Sequence, residues 1–437
     1  MSSLEDDNLT SDFSSLSIRL TRELESTTKK TQGIYFTPYS TVSHLIKTVR
    51  LLIPLETSSS HSILEPSCGS GQFLSRLHST FPHSGITGIE LEPDIFQHLP
   101  SFPKTTLIKG DFLDSNLWLA TTDISKFDLI IGNPPFRVVK KSEVPDSITS
   151  IPELYGLLEG RPNLFILFIL RSVSLLRPGG IIAMVLPKNF LNCLYYSRVR
   201  QYLATNFQIK HIVTNNDKYL DTNQDTICLV LKHYPQIQHD NLPPDNSKYC
   251  WNPSGYQSWS YFQPSSLQQI LPLVEDATTL NRLGYRVGVG TVVWNQSRFK
   301  DRLTSDASKT RLIYSGEIDQ GSLLAPGNYR NPARKNFITL EGWTHPCIVV
   351  NRGYGTGGYC FQYALLDPSS PETPDSYLIE NHLVYIVKKD PHPEDIIQFK
   401  KIIASFGNPK TREFIRLYFG NNAINTTELQ HILPIFV

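Results

Sequence analysis

From residue 34 to about residue 234 the chain alternates short apolar runs with stretches of helical periodicity. SILEP (62–66), ITGIE (86–90), TTLIKG (105–110), FDLIIG (127–132) and IIAMVL (181–186) each have the length and content of a buried strand. Helical stretches separate them: GQFLSRLHSTF follows the first, and NLFILFILRSVSLLRPGG precedes the fifth. Strands that are apolar throughout need cover on both faces, which predicts a parallel sheet in a doubly wound α/β domain. IKHIVT (209–214) and DTICLVLKHY (225–234) predict two final strands, the second alternating and near an edge. A polar, Pro-rich linker follows, and beyond it the pattern changes to short aromatic-rich strands and many Gly, Pro and Asn turns.

This pattern divides the chain into a tail at 1–30, an α/β domain at 31–240 and an α+β domain at 241–437. The tail is acidic and Ser-rich, disordered to about residue 15 and then helical to Lys30. It is the reverse of a signal or transit peptide. Forty-one basic and 40 acidic residues leave a formal charge of +1, so global charge announces no partner. Six cysteines show no CxxC pair and no metal-ligand spacing with histidine, which predicts reduced thiols, no metal and a cytoplasmic setting. The apolar run at 164–170 stops at Arg171, too short for a membrane span.

In a doubly wound sheet, ligands sit where strands end and helices begin. The first such turn is EPSCGSGQF (65–73), where Gly69 and Gly71 permit a tight turn and close approach of a ligand. Nineteen residues beyond Gly71, Glu90 ends the second strand and can accept both hydroxyls of a ribose. A dinucleotide fits this much as well. Against it stand the absent third glycine and the absent second mononucleotide-binding unit. Asp111, at the end of the third strand, adds an acceptor for an adenine amino group. Glu65, Glu90 and Asp111 around one glycine-rich turn suit a cofactor with a cationic methionine end and an adenosine, namely S-adenosylmethionine.

The fourth strand runs into Asn133-Pro134-Pro135-Phe136. Two prolines stiffen the backbone and remove donors, leaving the Asn133 side chain and the Pro134 carbonyl as acceptors for one point. Converging acceptors suit a planar amino group, whose lone pair they localise. An electrophilic methyl then needs only alignment at close range, with no strong base. Phe136 offers a face on which a planar base stacks.

The series GIYFTP, ILEPSCGSGQF, GIELEPD, KGDFLD, FDLIIGNPPF, RPNLF…LLRPGG and IIAMVLPKNFL resembles the adenine-N6 DNA methyltransferases of type II restriction–modification systems, in the γ motif order. The resemblance covers residues 33 to about 235. It implies a Rossmann-like S-adenosylmethionine-dependent domain followed by a target-recognition domain. Tyr35, Thr37 and Pro38 would close over the methionine end of the cofactor. Glu65, Pro66, Ser67, Cys68, Gly69 and Gly71 would cradle it, Glu90 would hold the ribose, and Asp111 with Phe112 the adenine. Phe168 would line the other face of that adenine. Asn133, Pro134, Pro135 and Phe136 would carry the target base, with Tyr219 as a second aromatic against it. NPPF replaces the commoner NPPY, so the stacking ring has no hydroxyl.

A flipped adenine costs a few kcal/mol to extrude, which contacts elsewhere must offset. Residues 281–335 hold ten Lys or Arg against four acids, interleaved with Tyr285, Trp294, Phe299, Tyr314 and Tyr329, and read as a phosphate-facing patch. GVGTVVWNQSRFKDRL (288–303) and IVVNRGYGTGGY (348–359) place Trp294, Asn295, Gln296, Arg298, Lys300, Arg352 and Tyr354 as residues to meet double-stranded DNA. The resemblance further implies monomeric action and a cognate restriction endonuclease on the same site. NPP[FY] also marks methyltransferases of protein glutamine and of guanine N2 in ribosomal RNA, and cytosine-N4 methylation is the nearest rival. The C-terminal domain separates the first two, and Asn in place of Ser before Pro-Pro the third.

Overall fold

The computed structural model describes residues 11–53, 60–118, 127–215, 217–222, 224–234, 243–253, 258–352, 360–371, 373–390, 392–420 and 423–437. They form two compact units, 1–267 and 268–437. The first holds helices α1 (Ser15–Glu23), α2 (Ser26–Gln32), α3 (Tyr39–Leu52), α4 (Gln72–Thr80), α5 (Leu164–Leu175) and α6 (Ser197–Asn206). Its strands are β1 (Ser62–Glu65), β2 (Gly85–Glu90), β3 (Thr105–Lys109), β4 (Phe127–Gly132), β5 (Leu176–Pro187), β6 (Phe207–Asn215) and β7 (Thr226–His233). They lie in the order β3-β2-β1-β4-β5-β7-β6. Neighbours among β1 to β5 run parallel, whereas β7 runs antiparallel to both β5 and β6. This is a doubly wound, Rossmann-like α/β fold.

Alternate residues of each central strand feed two separate cores. Ile63, Leu129, Ile131, Ile181 and Ala183 pack on one face with Val42 and Leu45 of α3 and Leu74 and Leu77 of α4. Leu64, Ile130, Ile182 and Met184 pack on the other with residues 165–170 of α5. Apolar residues on both faces of one strand are what produced its unbroken apolar run.

Three expectations need correcting. β7 lies between β5 and β6, and the edge belongs to β6; Thr226–Leu231 are buried on both faces, a continuous burial rather than an alternating one. β5 begins at Leu176, so the RPGG segment placed at the end of the preceding helical stretch is part of a strand. Order in the N-terminal segment begins before residue 15: Phe13 is buried with Leu20, Phe36 and Ile95. Residues 1–10 lie outside the described residues. Residues 243–253 and 258–267, assigned by sequence to the second domain, fall within the first unit. Asn246 there donates to the carbonyls of Ala204 and Phe207 and accepts from the Ile209 N–H.

The second unit holds a sheet of β8 (Tyr285–Val289), β10 (Cys347–Asn351), β11 (Tyr363–Leu366) and β13 (Leu383–Lys388), in the order β8-β13-β10-β11. A second sheet joins β9 (Thr310–Ile313) in parallel to β12 (Tyr377–Ile379), with two short strands beyond β9. No helix among the described residues is long and apolar enough to cross a membrane.

Candidate active site

The strand order reverses between β1 and β4, and the turns beyond their C-terminal ends border a cleft of ≈ 180 Å³. Tyr35, Pro66, Ser67, Gly69, Glu90, Asp111, Phe112, Asn133, Pro134, Pro135, Phe136 and Phe168 all line it.

The glycine-rich turn is built by the backbone. Gly71, at φ +78°, is the N-cap of α4 in a conformation that L side chains resist. The Cys68 N–H donates to Ile89 O at 2.8 Å, which ties the turn to β2. Glu90 completes the tie: its Oε2 accepts from the Gly69 N–H at 2.8 Å and its Oε1 from the Glu92 N–H at 2.9 Å. A carboxylate oxygen accepts more than one hydrogen bond, so Glu90 can hold the turn and still receive hydroxyl donors. Burial pushes its carboxyl up, against the opposing pull of those two N–H groups.

Glu65 is 1% exposed, and its Oε2 has no hydrogen-bond partner among the described residues. Burial, reinforced by the charge of Glu90, holds its carboxyl well above the usual range. A buried carboxyl oxygen without a partner, beside a second carboxyl, is chemically suited to a cation such as the ammonium of a methionine moiety, while a backbone hydrogen bond at Leu74 holds the group. Cys68 is buried too, and its thiol is pushed up first by burial and then by Glu65 and Glu90, so it stays protonated and unreactive. Thr37, Pro38, Glu65, Cys68 and Gly71 are not among the residues bordering the cleft.

Asn133 is held by the chain before α3. Its Nδ2 donates to Thr37 Oγ1 at 2.9 Å and to Tyr35 O at 3.4 Å, which fixes the orientation of the amide. Its Oδ1 is buried and has no partner among the described residues. Ser67 Oγ donates to the Asn133 carbonyl at 3.1 Å, joining the glycine-rich turn to this one. Phe136 is half-buried, with its ring edge-on to Phe165 at 5.9 Å between centroids.

Gly33 was quoted in the sequence only as part of GIYFTP, yet it sets this approach. It lies at φ +72°, and a Cβ there would stand 2.9 Å from the Phe136 backbone nitrogen. Gly33→Ala is expected to cost about 1–2 kcal/mol for the left-handed backbone and to displace Phe136. A melting temperature and transfer rate both equal to wild type would remove this contact from the site.

The Phe112 and Phe168 rings pack against each other, 5.0 Å between centroids and tilted, and both border the cleft. Phe112 is 1% exposed and serves the core beneath the cleft. Tyr219 is 6% exposed, its hydroxyl 3.2 Å from Thr226 Oγ1, which leaves its ring no free face for a base. It borders a separate polar hollow of ≈ 280 Å³ with Lys188, Thr214 and Gln224.

In the second unit Asn295, Gln296, Arg298 and Lys300 are exposed on and before a four-residue helical turn at Ser297–Lys300. The Arg298 guanidinium lies over the Phe299 ring at 4.5 Å. Trp294 is half-buried in a small core with Val292, Leu312 and Tyr314. Arg352 donates to the Asn381 carbonyl, and Tyr354 lies outside the described residues. The basic patch is not wholly a surface. Arg311 is paired with buried Glu317 at 2.9 Å, and Arg334 sits 4.0 Å from the ring centres of both Tyr314 and Tyr329. Tyr285 and Tyr314 are buried.

Residues 76–220 match the model of the Eco57I restriction-modification methylase family, and residues 18–92 that of the N-6 DNA Methylase family. A type II methyltransferase of Paramecium bursaria Chlorella virus XZ-6E is 25% identical over 432 residues, 97% of this chain and 99% of that protein. Over nearly its whole length, then, the chain is similar to a type II methyltransferase. A modification methylase of Paramecium bursaria Chlorella virus NC1A is 28% identical over 218 residues, 47% of this chain and 51% of that protein. A type II methyltransferase of Thermus thermophilus is 34% identical over 166 residues, 36% of each. Beyond the first of these, the chain matches about half or less of its relatives' length. Among solved structures, the DrdV–DNA complex covers 93% of this chain and 57% of its own at 12% identity and a TM-score of 0.49.

Proposed function

We propose that this protein is a site-specific DNA methyltransferase that moves a methyl group from S-adenosylmethionine to the N6 amino group of an adenine flipped out of double-stranded DNA. The observation that carries the reading is Asn133: a half-buried amide whose donors are both engaged and whose buried oxygen has no partner among the described residues, at the edge of a cleft. That oxygen is an acceptor held ready for an N–H. An adenine amino group donates one hydrogen to Asn133 Oδ1 and one to the Pro134 carbonyl, which draws the nitrogen lone pair out of the ring system. Phe136 stacks on the base. Glu65 receives the ammonium of the cofactor, Glu90 the ribose hydroxyls and Asp111, exposed at the rim, the adenine amino group. The cofactor supplies an electrophilic methyl. The chain supplies alignment, and no protein nucleophile or metal is required.

The matches to the N-6 DNA Methylase and Eco57I families support this assignment over guanine N2 or protein glutamine. Residues 268–437 form a separate compact unit of the size a target-recognition domain needs. In that role exposed Arg298 and Lys300 meet phosphates. Alanine at each is expected to lower the salt slope of DNA binding by about one unit, uniformly across sequences. A slope unchanged in the double variant would take this turn off the DNA.

The direct test is transfer of radiolabelled methyl to unmethylated duplex DNA, with ribosomal RNA and release factor as competitors. Label recovered as N6-methyladenine, and lost with Asn133→Ala, is the expected result. Label recovered only as N4-methylcytosine, or only in RNA or protein, would overturn the substrate. Methylation of such a site would protect it from a restriction endonuclease that reads the same sequence.

A further inference from the structure

The loop between β6 and β7 is docked onto the N-terminal segment that borders the cleft. Leu220 packs against the cluster of Phe13, Leu20, Phe36 and Ile95. Lys29 Nζ lies 2.8 Å from Asp221 Oδ2 and donates to Thr21 O at 2.8 Å, so one ammonium joins α1, α2 and the loop. Thr41, 1% exposed, donates to Asp217 Oδ2 at 2.5 Å. The Lys29 and Asp221 side chains are 14% and 26% exposed, so solvent screens them less than a free surface pair. One apolar contact, one ion pair and one hydrogen bond thus converge on residues 217–221.

The other end of the same segment reaches the reactive turns. Residues 31–36 border the cleft, Ser17 Oγ lies 2.7 Å from Ser70 Oγ in the glycine-rich turn, and Asn133 hangs from Tyr35 and Thr37. Residues of the loop also border the polar hollow, where Lys188 lies 3.4 Å from Asp225 Oδ2 and Lys218 stands with Asp217 in the lining. A ligand that orders residues 31–36 therefore orders the loop through rigid contacts, and one that orders the loop acts back on the cleft.

We propose that Lys29 and Asp221 are positioning residues that couple cofactor binding to the loop at 217–222, so that either ligand of the reaction strengthens the other. This rests on the cofactor and DNA reading above. The entropy lost in ordering the shared segment is lost with the first ligand and not again with the second. Coupling of this kind is reciprocal: the cofactor raises DNA affinity by the same factor as DNA raises cofactor affinity.

The test is amide hydrogen exchange of the full chain with and without S-adenosylhomocysteine, in wild type, Lys29→Ala, Lys29→Arg and Asp221→Asn. In wild type the product is expected to slow exchange at 31–36 and at 217–222. In Lys29→Ala and Asp221→Asn protection at 31–36 persists while that at 217–222 is lost, and Lys29→Arg restores it. Duplex affinity measured with the same probe is expected to rise at least about fivefold in wild type and to be unmoved in Lys29→Ala. Slow exchange in β4 and β5 in every variant reports that the fold is kept. A loop that does not respond in wild type, or responds equally in Lys29→Ala, overturns the coupling. No protection at 31–36 in wild type overturns the cofactor assignment instead, and the coupling with it.

Discussion

Asn133→Ala is expected to lower the methyl-transfer rate by about 10²- to 10³-fold at saturating cofactor and DNA, the range for removing one preorganised hydrogen-bonding group from a reacting centre. The physical case lies in how the amide is held. Thr37 Oγ1 and Tyr35 O occupy the Nδ2 donors, so the side chain cannot rotate to offer its nitrogen instead of its oxygen. The buried Oδ1 then lacks a partner, a state that costs about 1–3 kcal/mol and persists because surrounding contacts impose it. The incoming amino group relieves that state only when the nitrogen stands in position for transfer. Alanine removes the acceptor and leaves a small void at the end of β4, whereas the surface that grips DNA is untouched. DNA affinity is therefore expected to change less than tenfold while the rate collapses. Asn133→Asp keeps an oxygen acceptor, loses the donor to Thr37 and is expected to fall between the two. Single-turnover transfer measured beside duplex binding checks both parts; a rate within threefold of wild type for the alanine variant would remove Asn133 from the chemistry.

Glu65→Gln is expected to weaken S-adenosylmethionine binding by about 10- to 100-fold, the worth of a hydrogen bond to a charged group at roughly 1.5–3 kcal/mol. The pH dependence identifies the cause. Burial first, and Glu90 second, push the Glu65 carboxyl up in the folded protein. The empty protein therefore keeps a proton that the unfolded chain has released, and its stability falls as pH rises from the ordinary carboxyl value of 4.5 through the raised folded value. A bound ammonium favours the ionised form, so binding expels that proton and affinity rises with pH across the same window. In Glu65→Gln the slope flattens, and the empty protein melts higher than wild type on the alkaline side because no charge is left to bury. Calorimetric titration at several pH values, in buffers of different ionisation enthalpy, reads affinity and proton release together. Wild-type affinity with an unchanged pH slope in the variant would place the ammonium elsewhere.

How much of this was legible in the chain depends on the distance over which each feature is decided. The turn at 133–136 could be read because one segment carries its chemistry: an apolar strand, an amide, two prolines and a ring in consecutive positions. The glycine-rich turn could be read for the same reason, since its backbone conformation is a property of Gly69 and Gly71 themselves. Tyr219 could not. A tyrosine in a polar loop looks exposed in sequence, and only the packing of Thr226 and its neighbours buries it. The contact between the Phe112 and Phe168 rings was not legible either, because the separation of two rings is set by the packing of α5 on the sheet rather than by either residue. The basic count over 281–335 likewise said nothing of which cations are internal. Arg311 lies beside Glu317, and Arg334 is held between two tyrosine rings.

By itself the sequence determined the strands, the two-faced parallel sheet and the residue types at its C-terminal ends, because periodicity and turn chemistry act over a few neighbouring residues. Only the tertiary structure decided the rest: that β7 lies inside the sheet, that one buried Glu65 oxygen has no partner among the described residues, that Thr37 orients Asn133 across 96 positions, and that Lys29 meets Asp221 across 192. Those are pairings of short side chains brought together by the whole fold, and no local pattern records a partner that distant.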